Sequence, residues 1–115
     1  MKKTILVTGC NGFIGSAFVR FAKEKYQIIG IDRTPGTFPE AGNEHFYQGD
    51  ICDAESLQRI FAEHSIDAVV HTAAEKSLIQ CQNDPERAYR TNYLATKHLH
   101  ALARQAGAKM VFLSS

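Results

Sequence analysis

Residues 5–18 read ILVTGCNGFIGSAF, and this stretch decides the fold. A run of β-branched and other apolar residues, typical of a buried strand, leads into three glycines, Gly9, Gly12 and Gly15. An apolar-periodic segment begins at Phe13, so the order predicts a strand, a tight turn and the start of a helix. Because glycines leave backbone N–H groups and the positive end of the helix dipole open, such a turn fits a pyrophosphate. The stretch therefore predicts a dinucleotide site.

A single acidic residue supports this interpretation. Residues 27–31, QIIGI, predict a second buried strand, and Asp32 follows it directly. A carboxylate there can accept hydrogen bonds from both hydroxyls of an adenosine ribose, and it would repel a 2′-phosphate. Arg33 could instead pair with a 2′-phosphate, so the residues favour NAD and leave NADP open. The alternative is an ordinary strand-to-helix turn followed by a solvated loop acid.

The composition describes one domain with a small-molecule partner. The chain has 115 residues, of which 44% are hydrophobic, enough for one small core. The formal net charge is +1 and like charges form no block, which argues against nucleic acid or a membrane surface as partner. No apolar run could span a bilayer and no secretion-type segment precedes the first strand, so we expect a cytoplasmic protein.

Neither a metal site nor a hydrolytic site is expected. Cys10, Cys52 and Cys81 are odd in number and have no metal-type spacing, which fits reduced thiols. His98 and His100 are two apart on a predicted helix and so face different directions. His71, at the end of a predicted strand, is interpreted as a packed polar cap rather than as a catalytic base.

Hydrophobic periodicity predicts alternating strands and helices. Strands are predicted at 4–8, 27–31, 45–48, 68–72 and 109–113, and helices at 13–25, 54–64 and 85–106. The proline and glycine residues within 33–44 predict a loop there. The pattern predicts an α/β fold, a doubly wound parallel sheet with strand order 3-2-1-4-5, in one domain spanning 1–115.

The faces of two helices can also be predicted. The first should place an apolar stripe on the sheet: Phe13, Ile14, Ala17, Phe18 and Phe21. The longest should begin at Asp84 and Pro85 and end at Gly107, with its inward stripe formed by Ala88, Asn92, Ala95, Thr96, Leu99, Leu102, Ala103 and Ala106. Asn92 needs hydrogen-bond partners there, so it either ties the helix to a strand end or helps to position the cofactor site.

These residues resemble the extended short-chain dehydrogenase family, specifically its sugar-nucleotide epimerases, dehydratases and reductases. Residues 8–15, TGCNGFIG, are similar to the family's TGxxGFIG turn. Residues 49–53, GDICD, are similar to its GDxxD segment, and residues 71–74, HTAA, to its HxAA segment. The resemblance implies a Rossmann-type fold that binds NAD or NADP.

The resemblance also implies which residues hold the cofactor. Asp50 would bind the adenine amine, Ile51 would flank the ring, and Lys76 would reach a ribose hydroxyl. The other implied cofactor-binding residues are Gly9, Asn11, Gly12, Phe13, Ile14 and Gly15 in the turn, Asp32 and Arg33 after the second strand, Thr72, Ala73 and Ala74 after the fourth, and Asn92.

The catalytic residues are expected to be missing. The second half most resembles dTDP-4-dehydrorhamnose reductases, a register in which Ser115 matches the family's catalytic Ser or Thr; in the epimerase register that hydroxyl is the next residue. The family's catalytic Tyr, with a Lys four residues later, follows the fifth strand. Tyr93 and Lys97 have this spacing but precede that strand and point away from the sheet, so we predict that they are not the pair.

Two hypotheses of function follow. In the first, the chain is the NAD(P)-binding portion of a sugar-nucleotide enzyme, which binds cofactor without turnover and meets a nucleotide sugar only when a second half is supplied. In the second, it is a free-standing dinucleotide-binding sensor or scaffold. One face of the predicted sheet would be covered only by the first helix, which would leave apolar sheet surface exposed. We therefore expect self-association, stabilisation by cofactor or partial instability.

Overall fold

The computed structural model describes residues 2–36, 38, 44–72, 86 and 93–113. A helix follows the first, third and fourth strands along this part of the chain, as predicted. In chain order they are β1 (Thr4–Thr8), α1 (Phe13–Ala22), β2 (Gln27–Asp32), β3 (His45–Gln48), α2 (Ala54–Glu63), β4 (Ala68–His71), α3 (Ala95–Gln105) and β5 (Lys109–Phe112).

The strands form one parallel sheet in the order β3-β2-β1-β4-β5, which confirms the predicted α/β architecture. The register pairs Thr8 at the end of β1 with Ile31 in β2 on one side and with His71 in β4 on the other. The carboxyl ends of the three central strands therefore meet at one edge of the sheet. In an open parallel sheet this edge, where the strand order reverses, is where ligands bind.

Alternation along β1 divides the core into two layers. Ile5 and Val7 pack with Val19 and Ala22 of α1, whereas Leu6 points to the opposite face. That second face is covered by α2 and α3, whose buried residues Leu57, Ile60, Leu99 and Ala103 belong to the same cluster as Leu6. A strand that is buried on both faces has apolar residues on both sides. This is why apolar and polar residues do not alternate along β1.

The predicted inward stripe of α1 is only partly correct: Phe18 packs against the core on this face, but other members of the stripe do not. The buried residues of the helix are Gly15, Val19 and Ala22, whereas Phe13 is 90% exposed and Phe21 is 79% exposed. Gly15 faces the backbone of the glycine turn, and this close approach sets the rotation of the helix about its axis. The small residues therefore face inward, and the larger phenylalanines at either end of α1 face solvent.

The carboxyl end of α3 has the predicted glycine stop. Gly107 has a φ of +71°, a left-handed conformation that favours glycine, and its N–H donates to the carbonyl of Arg104. The N–H of Ala108 donates to the carbonyl of Ala103 over 2.8 Å, which completes a Schellman motif. Ala95, Leu99 and Ala103 are buried as predicted, but Ala106 is exposed because it lies in this final turn. Asp84, Pro85, Ala88 and Asn92 lie outside the described residues.

Apolar side chains remain exposed at the β5 edge. Val111 is 48% exposed and lies on the α1 face of the sheet, because it pairs with Val70. Phe112 is 55% exposed and its ring meets that of His71 edge-on. No helix within the described part of the chain is long and apolar enough to cross a membrane.

Candidate functional site

The glycine turn connects β1 to α1 at the carboxyl edge of the sheet. Gly9 has a φ of +65°, and its N–H donates to the carbonyl of Ile31 over 2.9 Å. Gly12 is the N-cap of α1 in an extended conformation, with no side chain to occupy the helix end. The first N–H groups of an α-helix have no acceptor within the helix, so this end presents donors and the positive pole of the helix dipole.

The turn packs against the first turn of its own helix with no space for a side chain at Gly15. A Cβ there would overlap the carbonyl oxygen of Gly9 and lie 2.9 Å from its carbonyl carbon. Gly30 in β2 is similarly enclosed, because a Cβ would lie 2.7 Å from the sulfur of Cys10. The backbone of the turn is thus held close to both the helix and the sheet, as a phosphate-binding turn of this class requires.

Asp32 lies against the turn. Its Oδ2 accepts a hydrogen bond from the N–H of Asn11 over 2.9 Å, and its Oδ1 accepts from the N–H of Thr34 over 3.2 Å. The residue is only 4% exposed. The carboxylate that was predicted to bind a ribose is therefore fixed beside the turn by backbone donors. Thr34, which the sequence analysis did not single out, could have been found from the Asp-x-Thr spacing of a local side-chain turn.

Arg33 points toward Asp50. Its Nε lies 3.9 Å from Asp50 Oδ2, with both side chains partly exposed, and its carbonyl accepts a hydrogen bond from the Gln48 amide. Asp50 in turn accepts from the N–H of Cys52 over 2.9 Å, in the loop that leads to α2. The carboxyl ends of β2 and β3 thus place an acidic and a basic side chain beside each other, next to Asp32.

The side chain of Ile51 is almost wholly buried. It is 6% exposed and belongs to the core on the α2 side. It also lines a cleft of about 250 Å³ between the starts of α2 and α3, together with Cys52, Ala54, Leu94, Ala95 and His98.

Behind the turn lies the side chain of His71, which the sequence analysis interpreted as a packed polar cap at the end of its strand. His71 is 1% exposed, and its ring contacts the hydroxyls of Thr8 and Thr96. Burial lowers the pKa of His71 to about 4, so the ring is neutral near pH 7. Thr72, one of the predicted cofactor residues, is 3% exposed, and its hydroxyl bonds to the backbone of the turn.

The structure brings together only part of the predicted site. Gly9, Asn11, Gly12, Gly15 and Asp32 form one connected unit, with Arg33 and Asp50 beside it. Phe13 and Ile14 begin α1, and the ring of Phe13 is almost wholly exposed. The predicted residues that lie outside the described part of the chain are Ala73, Ala74, Lys76, Asn92 and Ser115.

Tyr93 and Lys97 lie on the outer face of the helical segment that contains α3. Tyr93 is 49% exposed, Lys97 is exposed, and the lysine ammonium lies 5.9 Å from the centre of the tyrosine ring. The neighbouring residues Ala95 and Leu99 face the sheet instead. Among the described residues, no group of three or more potential ligands could hold a metal ion.

Comparison with known proteins places this geometry in a family. A UDP-glucose 4-epimerase of Neisseria meningitidis serogroup C is 40% identical over 126 aligned positions, which cover 100% of this chain and 37% of that protein. The crystal structure of a UDP-glucose 4-epimerase from Thermotoga maritima, solved with UDP-glucose, has a TM-score of 0.82 and 34% identity, over 95% of this chain and 37% of that one.

A dTDP-glucose 4,6-dehydratase of Bacillus anthracis, solved in complex with NAD, has a TM-score of 0.76 and 28% identity over 97% of this chain and 36% of that one. The chain thus spans a little over a third of the length of these relatives. The likeness of its second half to dTDP-4-dehydrorhamnose reductases stays a prediction. The profile of one family, described as the NAD dependent epimerase/dehydratase family, matches residues 5–115. The chain therefore belongs to the NAD dependent epimerase/dehydratase family.

Proposed function

We propose that this chain binds NAD at the glycine turn and forms the cofactor-binding part of a nucleotide-sugar epimerase or dehydratase. The single observation that carries the proposal is the bond from the Asn11 N–H to the Asp32 carboxylate, beside a turn that has no space for a side chain at Gly15. The pyrophosphate would lie on the open end of α1, and Asp32 would accept the ribose hydroxyls.

The same residues favour NAD over NADP. A 2′-phosphate would meet the buried Asp32 carboxylate, and like charges in close contact are unfavourable. Arg33, which could offset that charge, lies beside Asp50. Asp50 would accept from the adenine amine at the same place, and Ile51 would flank the ring.

NAD, when bound, supplies a nicotinamide ring that exchanges a hydride with a sugar carbon. The residues of this chain would hold and orient that cofactor: the turn its diphosphate, Asp32 its adenosine ribose. Proton transfer to the sugar needs a general acid or base, and Tyr93 lies on the outer face of its helix. We therefore propose that the 115 residues bind cofactor without turnover by themselves, and that a nucleotide sugar is the substrate of the whole enzyme. The whole-enzyme proposal rests on the relatives that act on such sugars.

A fluorescence titration with NADH tests the binding proposal, with NADPH as the comparison. We expect saturable binding of NADH that is tighter than that of NADPH. Gly12→Arg should abolish binding because its side chain would fill the open helix end, whereas Gln58→Arg, which adds the same charge on the exposed face of α2, should not. Saturable binding of neither cofactor would refute the proposal, and tighter binding of NADPH would refute the assignment of NAD.

We also propose that the 115-residue chain self-associates through its exposed apolar side chains. Phe21 of α1 is 79% exposed, and Val111, on the sheet face against which α1 packs, is 48% exposed. Removing exposed apolar surface from water favours association. Static light scattering should give a mass above 12.8 kDa, and Phe21→Ser with Val111→Ser should lower it. A stable monomer without ligand would contradict this.

A further inference from the structure

A layer of buried polar side chains lies between the glycine turn and α3. Thr8, His71 and Thr72 are 0%, 1% and 3% exposed, and Thr96 of α3 is half-buried beside them. They come from the carboxyl ends of β1 and β4 and from the first turn of α3. Burying so many polar groups carries a desolvation cost that their hydrogen bonds must offset.

Hydrogen bonds connect the imidazole to a hydroxyl on each side. Thr8 Oγ1 accepts from the N–H of Thr72 over 3.0 Å and lies 2.5 Å from His71 Nδ1. On the other side of the ring, Nε2 lies 3.0 Å from Thr96 Oγ1. In either neutral tautomer, one ring nitrogen donates to a hydroxyl and the other accepts from one, so the connection does not depend on which nitrogen carries the proton.

The chain of bonds ends on the backbone of the turn. The hydroxyl of Thr72 donates to the carbonyl of Thr8 over 2.6 Å and lies 3.2 Å from the carbonyl of Gly9. Gly9 is the residue whose left-handed φ starts the turn. A continuous series of directional contacts therefore runs from α3, through the imidazole, to the peptide that positions the helix end.

We propose that His71 is a positioning residue, which sets the cofactor affinity of the glycine turn by bonding that turn to α3 through Thr8 and Thr96. This inference rests on the proposed function, that the turn holds the diphosphate of NAD. His71 itself is buried behind the turn and acts through the backbone.

A positioning role differs from a contribution to stability alone. Removing one partner of a buried hydrogen bond leaves the other unsatisfied and lowers the stability of the fold whether or not the bond positions anything, so a loss of stability does not by itself indicate a positioning role. Directional bonds, by contrast, restrict the position of the turn more narrowly than apolar contact does. Loss of one bond should therefore weaken cofactor binding in a chain that remains fully folded.

Thr96→Val in the full chain is the sharpest test, because it removes one hydroxyl, preserves shape and lies on α3 rather than in the turn. We expect the dissociation constant for NADH to rise about three- to tenfold. Thr96→Ser, which keeps the hydroxyl, should restore affinity. His71→Asn, which retains an acceptor for Thr8, should bind more tightly than His71→Leu.

Thr4→Val is the matched control. Thr4 is also on β1 and 8% exposed, but its hydroxyl bonds to Gln27 at the opposite edge of the sheet. Its loss should lower the unfolding midpoint in urea and leave the NADH affinity unchanged. If Thr96→Val lowers stability and has the affinity of the unchanged chain, the network is structural only and the inference is overturned. If the unchanged chain binds no NADH, the proposed function and this inference both fail.

A spectroscopic measurement keeps the inference testable where a variant fails to fold. Imidazole ¹⁵N shifts in the unchanged chain at neutral pH should show His71 as a neutral ring with one protonated and one accepting nitrogen, and Thr96→Val should change the Nε2 shift. A charged ring, or an Nε2 shift that Thr96→Val leaves unchanged, would overturn the proposed connection.

Discussion

The carboxylate of Asp32, the last residue of β2, accepts the backbone N–H of Asn11 in the glycine turn over 2.9 Å. This bond joins the two features that define the candidate site, although one lies in the turn between β1 and α1 and the other at the end of β2. It orients the carboxylate toward the place where the ribose next to a bound diphosphate would lie. It also uses one of the backbone donors of the turn for the protein itself.

Asp32→Asn should impair both folding and cofactor binding. One carboxylate oxygen becomes an NH₂ group that faces a backbone N–H, which leaves a buried donor unsatisfied and costs about 1–3 kcal/mol of unfolding free energy. NADH should bind more weakly, because the ribose loses an acceptor. Urea unfolding and fluorescence titration measure the two effects.

Asp67→Asn serves as the control for this substitution. Asp67 also accepts a backbone N–H, that of Thr4, over 2.8 Å, but it is exposed and lies at the amino edge of the sheet. Asp67→Asn should lower the free energy of unfolding less than Asp32→Asn does, and it should leave the NADH affinity unchanged. Equal effects of the two substitutions on affinity would contradict the assignment of Asp32.

Gly15→Ala should prevent the turn from forming as described. The added methyl group would overlap the carbonyl of Gly9, so α1 must move away from the turn. We expect loss of NADH binding and destabilisation of about 1–3 kcal/mol, as for other overpacked sites. Gly49→Ala is the matched control, because its Cβ would meet only ordinary contacts at 3.6 Å from Ser56 and 3.7 Å from Ile31. Retained binding in Gly15→Ala would show that the close approach is not required.

His71 should make stability depend on pH. Burial lowers its pKa from 6.5 to about 4, so the unfolded chain takes up a proton at this ring at higher pH than the folded chain does. Its contribution is fully present above pH 6.5 and is lost as pH falls toward 4, by on the order of 3 kcal/mol. Urea unfolding from pH 7 to 4 measures this, and His71→Asn, which does not titrate, should show a flatter profile. Parallel profiles would contradict the lowered pKa.

Tyr47 should stabilise the contact between the edge strand β3 and the end of α2. Its hydroxyl donates to Glu63 over 2.7 Å and contacts Nε2 of His64 at 2.8 Å. Burial and the bond to Glu63 raise the pKa of Tyr47 to about 12, so this interaction persists to alkaline pH and is lost as pH rises through that value.

Tyr47→Phe should lower the unfolding free energy by about 1 kcal/mol. Tyr26→Phe, at an exposed tyrosine whose hydroxyl has no hydrogen-bond partner within the described part of the chain, should change it little. An absorbance titration of the unchanged chain should show a late ionisation step near pH 12. That late step should disappear in Tyr47→Phe, and its persistence would assign it to another tyrosine.

Local patterns were sufficient to predict the architecture. The β-branched run before Gly9, the acid after QIIGI and the glycine at 107 each report a short-range constraint: strand propensity, a turn without side chains, and a left-handed helix end. Strand order followed because parallel strands joined by crossovers have few allowed arrangements. The bounds of β1 and β3 agree with the prediction, and those of the other three strands agree to within one residue.

The rotation of α1 could not be predicted in the same way. Its periodicity predicted an inward stripe that included Phe13 and Phe21, and both of these side chains are exposed. The inward face is decided by the contact of Gly15 with Gly9, which is a packing constraint between two elements. Periodicity records that a face is apolar, but not which of two faces approaches a backbone closely.

The sequence by itself therefore determined the class of fold, the position of the glycine turn and the identity of Asp32 as its acidic partner, because each is a property of neighbouring residues. Only the tertiary structure decided what holds that turn in place. Thr8, His71 and Thr96 are far apart along the chain and are individually ordinary, and the parallel register places their polar atoms within hydrogen-bond distance. Such contacts depend on the register of whole elements, which no local pattern encodes.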